Sequence, residues 1–495
     1  MKTPSQDLHK LIKSLTKTEK RYFSQFAEKH VIGKQNNYYK LFKVVDNQLV
    51  YDENQAKKEM EKQGVSEHFT ALKFQLTERI LEALHGYHQK NSIAESLKRE
   101  LNFCRILIHK NLIEAGEKRL KKVRKTIEVY NFIEFLPELF AIKREIFAKQ
   151  FYKDIDDKGL ETIYEDMELA IEQLKNWNQY EHLNILVQRN HYQKIRSTDL
   201  DFEILNQNEW LNDEKKTMTF RSKMSRLSAL ATLNFMQGRT AMAYQFNQEF
   251  IALLEESKKM TDLYANRYVS ALSNILIDSL VLGKYDLLQN DIQKLREITQ
   301  NKTFQKQIPN LEMRVFRQTY LLEMNWAIST NQFSKGIELI PFIEDGLKIH
   351  RKTIGEHNQI TFYYLFAYCN FREKYFSDAL TFVNEILDTK AKSGTEIVEF
   401  THLLNVLTHF ELSHYDLLAA LIPSTRRFLR KKRPLYKTED LVFSHLKKII
   451  NTVDKSKKKE LWTKFKAKVL ELKKDKNEAR VFNYFDFETW ERVEN

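Results

Sequence analysis

Apolar side chains recur at spacings of three and four along most of the chain, the signature of helices that bury one face. The run Phe69, Leu72, Leu76, Ile80 and Leu84 is the most regular and predicts a helix over 67–89. Further helices are expected at 37–47 and 54–63. Thr16 followed three residues later by Glu19, ahead of Tyr22, Phe23 and Phe26, spells a capping box. The first 90 residues therefore read as five helices. Helices at 97–109 and 114–130 flank a turn at 111–115, and Pro137 falls where it can open the next helix. The stretch 197–217 is the most polar interruption, rich in Asp and Asn, and marks the best boundary. After Pro434, helices are expected at 439–453 and 457–474, the second striped by Leu461, Phe465, Val469 and Leu472.

From about Arg221 the pattern repeats five times. First-helix anchors fall at Leu227, Leu272, Tyr320, Tyr363 and His402, spaced by 45, 48, 43 and 39 residues. The turn positions that follow are Thr240, Tyr285, Phe333, Phe376 and Tyr415. Three residues on lie Ala243, Leu288, Gly336, Ala379 and Leu418, where the two helices of a pair approach most closely. The segments Gly283-Lys284-Tyr285 and Asn331-Gln332-Phe333-Ser334-Lys335-Gly336 resemble the turn of the tetratricopeptide repeat. The spacing is longer than the roughly 34 residues of that repeat, and Glu323 stands where a small or apolar residue is usual. The helix pair over 355–392 is the best-formed unit.

The resemblance implies an all-α fold: a right-handed α-solenoid of antiparallel helix pairs with long, irregular units. Its parts would be an N-terminal helical region (1–90), first helical pairs (91–220), the array proper (221–433) and basic capping helices (434–495). It also implies a concave groove built from positions one and five after each anchor: Ser228, Thr232, Ser273, Ile277, Leu321, Asn325, Tyr364, Tyr368, Leu403 and Leu407. Asn325, Tyr364 and Tyr368, with Phe371 continuing the aromatic line, are the candidate contacts for a protein or peptide partner. The whole chain, including the aromatic end Tyr484-Phe485-Asp486-Phe487-Glu488-Thr489-Trp490, is similar to bacterial helical-repeat proteins, a likeness that implies no activity.

Composition agrees with long helices. The 495 residues include 11 Gly and 6 Pro, against the roughly 35 and 25 of average usage, too few for a strand-and-turn fold. Two cysteines, Cys104 and Cys369, sit inside apolar helical patterns and are expected to be small buried hydrophobes. The N-terminus leads into an amphipathic helix, unlike a signal peptide. No run of 18 apolar residues suggests a membrane span. A cytoplasmic protein is expected.

Candidate chemistry is sparse. Asp154, Asp156, Gly159 and Glu165 fall at calcium-loop spacing, but Lys158 occupies a ligand position, and helix-capping acids are the simpler reading. His402, His409 and His414 cluster without the spacing of a zinc site. No phosphate loop, nucleophile elbow or paired-cysteine motif occurs, so a non-enzymatic protein without cofactor or metal is expected. The charge is more informative. Residues 426–480 hold 20 Lys and Arg against 7 Asp and Glu, which equals the whole chain's net charge of +13. Arg426, Arg427, Arg430, Lys431, Lys432, Arg433, Lys457, Lys458 and Lys459 are the candidate polyanion contacts, and a nucleic acid is the alternative partner. The expected function is that of a protein- or peptide-binding scaffold.

Overall fold

In the computed structural model the regular elements among the described residues are 26 α-helices and three short 3-10 turns, with no strand. The structure describes all residues apart from 1–4, 30–35, 66–67, 89–91, 154, 193–201, 390–395, 476 and 491–495. The chain divides into two units, 1–181 with 213–223 and 182–212 with 224–495.

The first unit contains α1 (Asp7–Ser14), α2 (Lys17–Lys29), α3 (Asn37–Asn47), α4 (Glu53–Lys62), α5 (Phe69–His88), α6 (Ile93–His109), α7 (Ile113–Tyr130), α8 (Leu136–Lys149) and α9 (Asp157–Tyr192) as far as Glu181. The five expected N-terminal helices form and share one core, in which Phe23, Leu41, Leu76 and Ile80 are buried. The capping box is made as read. The Thr16 backbone N–H donates to Glu19 Oε2 at 2.7 Å, and Glu19 N–H donates to Thr16 Oγ1 at 3.2 Å. Pro137 lies in the first turn of α8, where its missing N–H costs nothing. The acidic stretch that resembles a calcium loop winds into α9, so Glu165 sits on the helix and Asp156 Oδ1 accepts the Gly159 N–H at 2.8 Å. Asp154 lies outside the described residues. A single 36-residue helix, α9, replaces the shorter pairs expected there.

The second unit continues with the end of α9, α10 (Phe202–Asn206), α11 (Glu209–Asn212), α12 (Phe220–Met236, from Met224), α13 (Thr240–Glu255), α14 (Lys258–Leu263), α15 (Ala265–Val281), α16 (Tyr285–Glu297), α17 (Lys302–Gln307) and α18 (Leu311–Ser329). It ends with α19 (Phe333–Ile349), α20 (Glu356–Arg372), α21 (Phe376–Asp388), α22 (Glu396–Glu411), α23 (Tyr415–Lys432), α24 (Lys437–Ile450), α25 (Lys455–Leu472) and α26 (Ala479–Tyr484). The five repeats are the pairs α12/α13, α15/α16, α18/α19, α20/α21 and α22/α23. Neighbouring helices touch in chain order, and first helices also touch the next first helix, as α15 does α18 and α20 does α22. That nearest-neighbour pattern is how a helical array grows without one central core.

The turn inside each pair is built the same way. Thr240, Tyr285, Phe333, Phe376 and Tyr415 are the first residues of the five second helices. Two residues before each stands a left-handed residue: Gly238, Gly283, Asn331, Lys374 and Ser413. The residue between donates its N–H back across the helix end, as Lys284 does to Ser279 O at 2.9 Å and Tyr375 to Asn370 O at 2.9 Å. This is the Schellman closure, which satisfies carbonyls the helix end would leave unpaired. The close-approach positions Ala243, Leu288, Gly336, Ala379 and Leu418 are all buried. At Gly336 an added Cβ would stand 2.8 Å from the Cys369 sulfur, so α19 and α20 meet there only because one side chain is a hydrogen. The uneven period has a structural cause. Short helices α14 and α17 are inserted between pairs, and they lengthen the 45- and 48-residue intervals. Both cysteines are buried, and burial pushes the Cys104 thiol up to about 11 and the Cys369 thiol up to about 12.

Candidate functional site

Three places in the second unit gather polar or charged side chains, and each begins from the helix register. The first is a groove of about 630 Å³ between the end of α9, α12, α15 and α18. Four of its lining residues, Ser228, Thr232, Ser273 and Ile277, are the positions that the repeat register assigns to a concave face. Small hydroxyls keep that face low by bonding back to their own helix: Thr232 Oγ1 donates to Ser228 O at 3.0 Å and Ser273 Oγ to Val269 O at 2.9 Å. Amides and cations stand above them. Gln188 Nε2 donates to Thr232 Oγ1 at 2.7 Å, and Arg314 Nη1 donates to Asn266 Oδ1 at 2.7 Å.

Two groups in this groove are left wanting a partner. Asn184, 6% exposed, has a buried side-chain oxygen with no donor among the described residues. Arg317 has no carboxylate partner among them, and burial followed by the charge of Arg314 lowers its pKa. Asn184 and Arg317 both line the groove, where one offers an amide and the other a guanidinium.

Asp278 closes one side of the groove at 2% exposure, where its Oδ2 accepts from Asn247 Nδ2 at 2.9 Å. Burial raises its pKa from 3.8 to about 6 against the lowering effect of that hydrogen bond. Because the folded value lies above the unfolded one, the folded state holds its proton longer. The stability that this group contributes is therefore fully present below about pH 4, falls as pH rises toward 6, and is about 3 kcal/mol lower above that. Asp278→Asn is expected to stabilise the protein by about 1–3 kcal/mol at pH 7.5, with the gain vanishing near pH 4. Urea denaturation at the two pH values checks this, and a gain independent of pH would show that Asp278 does not titrate there.

The second place is the aromatic line that the sequence puts forward for a partner. Tyr364, Tyr368 and Phe371 are buried, and what covers them is the chain's own C-terminal segment. Tyr364 Oη donates to Tyr484 O at 2.9 Å, and Asp486 N–H donates to Tyr368 Oη at 3.4 Å. Phe371 and Tyr368 both meet the Phe485 ring edge-on at 5.3 and 5.7 Å. Further along, Trp490 Nε1 donates to Glu411 Oε1 at 2.8 Å and its ring meets Phe410. This stretch is therefore an occupied face of the array. Asn325 is half-buried, and its amide donates to Leu321 O in its own helix at 2.7 Å. Leu403 and Leu407 are buried in the core.

The third place is the basic end, where the structure separates residues that are adjacent in sequence. Arg426, Arg427, Arg430, Lys431 and Lys457 line a cleft between α23, α24 and α25, whereas Lys432, Lys458 and Lys459 do not. Arg433 turns inward. It bonds Glu399 Oε2 at 2.8 Å and both Glu439 oxygens at 2.7 and 2.9 Å, and it stacks over Tyr436. Burial would lower its pKa, but the hydrogen bonds and charge of Glu439, then of Glu399, raise it.

The His402 ring lies tilted against Phe428, and the His409 and His414 Nδ1 atoms share a hydrogen bond at 2.9 Å. Groups of three or more His, Cys, Asp or Glu able to hold a metal are absent among the described residues. No helix among them is long and apolar enough to cross a membrane.

Sequence reasoning missed Asn184 and Gln188 because the repeat register begins only near Arg221. Arg314 and Arg317 lie upstream of their unit's anchor and carried no motif. Lys447, Lys448 and Lys464 sit inside the counted basic segment and could have been found from that count.

No family model matches the chain, and no curated protein matches it. Among solved structures, the crystal structure of the apo form of RapI is similar at a TM-score of 0.44 and 11% identity, covering 79% of this chain and 91% of that one. A likeness that loose assigns neither residues nor activity.

Proposed function

We propose that this chain is a non-enzymatic, peptide-binding helical-repeat adaptor whose site is the polar groove of α9, α12, α15 and α18. The observation that supports the reading is that Asn184, whose side-chain oxygen has no hydrogen-bond partner among the described residues, and Arg317, which has no carboxylate partner among them, line one groove. An extended peptide supplies what both lack: backbone N–H donors for the amide oxygen and a carboxylate for the guanidinium. Amide and hydroxyl side chains on the surrounding helix faces suit backbone recognition better than catalysis. The chain's own C-terminal segment, lying along α20 and α22, is an internal precedent for a peptide on first helices.

Arg317→Ala combined with Asn184→Leu is expected to weaken peptide capture at least about tenfold while leaving the melting temperature within a few degrees. Selection from a random peptide library, followed by calorimetric titration of the recovered peptides against both proteins, measures it. Equal affinity of the two proteins for every recovered peptide would remove the groove from consideration.

A further inference from the structure

The cleft between α23, α24 and α25 is about 1340 Å³ and has a composition that a solvated helix surface does not require. Eight cations line it against one carboxylate, Glu460. Arg426 is held by Asp440 and Lys464 by Glu460. The other six, Arg427, Arg430, Lys431, Lys447, Lys448 and Lys457, have no carboxylate partner among the described residues. Six like charges arranged around a shared concavity repel one another, and low-dielectric walls strengthen the resulting field. On an open helix face the same lysines would splay into water.

The floor of the cleft is aliphatic. Along α23 the buried Leu418 and Ile422 lie beneath Ala419 and Pro423, and half-buried Ile450 and Leu461 line the cleft from α24 and α25. Ala419 and Pro423 are exposed there. Stacking platforms for bases are poor: Phe443 is 1% exposed, and Tyr415 stands half-buried at one end. Sequence-tolerant binding of single strands depends on accessible aromatic faces, so an aliphatic floor under a cationic rim argues against nucleic acid. The chemistry that satisfies both parts is an amphipathic α-helix with an apolar stripe and acidic flanks. A helix about 10 Å across and three turns long occupies on the order of 1300 Å³, comparable with the volume of the cleft.

We propose that this cleft docks an acidic amphipathic helix of a partner protein, with its apolar stripe on the α23 floor and its carboxylates between Arg427, Arg430, Lys431 and the lysines of α24 and α25. The surface is separate from the peptide groove and independent of it.

The test uses the full chain and three fluorescently labelled probes: a designed helix with leucines at i, i+4 and i+7 among glutamates, the same composition with leucines scrambled, and a 20-nucleotide single-stranded RNA. The designed helix is expected to bind at least about tenfold more tightly than either of the others at physiological salt. The triple substitution Arg427→Glu, Arg430→Glu, Lys431→Glu, all at exposed positions, is expected to weaken it about tenfold or more. Ala419→Glu, which puts an acid on the floor, is expected to do the same without altering thermal unfolding. Tighter binding of the RNA would reassign the cleft to nucleic acid. Equal binding of the scrambled helix would reduce it to nonspecific charge, and no binding of any probe would leave a solvated surface; each result overturns the proposal.

Discussion

Trp490→Ala is expected to destabilise the second unit by about 3–5 kcal/mol, the range for emptying a buried tryptophan site. The indole is 5% exposed and sits against Trp462, Phe465, Phe485 and Phe487 at centroid distances between 5.1 and 6.4 Å. Its N–H also donates to Glu411, so the substitution removes both a large apolar surface and a hydrogen bond to a carboxylate. Urea denaturation followed by far-ultraviolet circular dichroism reads the change, and a loss under about 1 kcal/mol would mean the aromatic end does not seal the core. A chain stopped after Glu478 extends the test. Glu478 itself must stay, because its carboxylate accepts from Lys437 N, Thr438 N and Thr438 Oγ1 at 2.8–3.0 Å and so caps α24 from forty residues away. The shortened chain would expose Tyr364, Tyr368 and Phe371, bind a hydrophobic dye, and recover stability when a synthetic 479–490 peptide is added. Failure of the peptide to restore it would show that this face accepts the segment only during folding of the intact chain.

Arg433→Ala is expected to cost about 3–5 kcal/mol, the range for breaking a buried ion pair from one side. Glu439 is wholly buried and Glu399 nearly so, and without the guanidinium both carboxylates lose the cation that compensates them. The design separates two roles that the sequence leaves superposed. A surface cation that contacts a polyanion would tolerate alanine with little change in stability and lose only binding. A cation that ties α22, the end of α23 and the start of α24 together loses the fold first. Arg433→Met with Glu439→Gln and Glu399→Gln is expected to recover at least half of the loss, since neither carboxylate charge is then left uncompensated. Denaturation midpoints of the three proteins decide it, and a cost below about 1 kcal/mol for Arg433→Ala would return this residue to the surface patch.

What the linear chain determines by itself is everything governed by local spacing. Most helix positions follow from the three-and-four periodicity, though the unbroken α9 and the short α14 and α17 do not, and helix starts follow from caps such as Thr16 with Glu19. The five intrapair turns follow because a left-handed residue two before each turn position closes the first helix by bonds within six residues. These are short-range interactions, so their signals survive without any knowledge of neighbours. The identity of the open face was decided by the tertiary structure alone. Tyr364 and Tyr368 carry the same register as Ser228 and Thr232, yet they are covered, together with Phe371, because a segment more than a hundred residues later folds back over them. Arg433 follows Lys432 directly, yet it turns toward two carboxylates from other helices while Arg427 and Arg430 line a cleft. Burial and charge pairing depend on what distant segments bring to a surface, and no spacing rule contains that information.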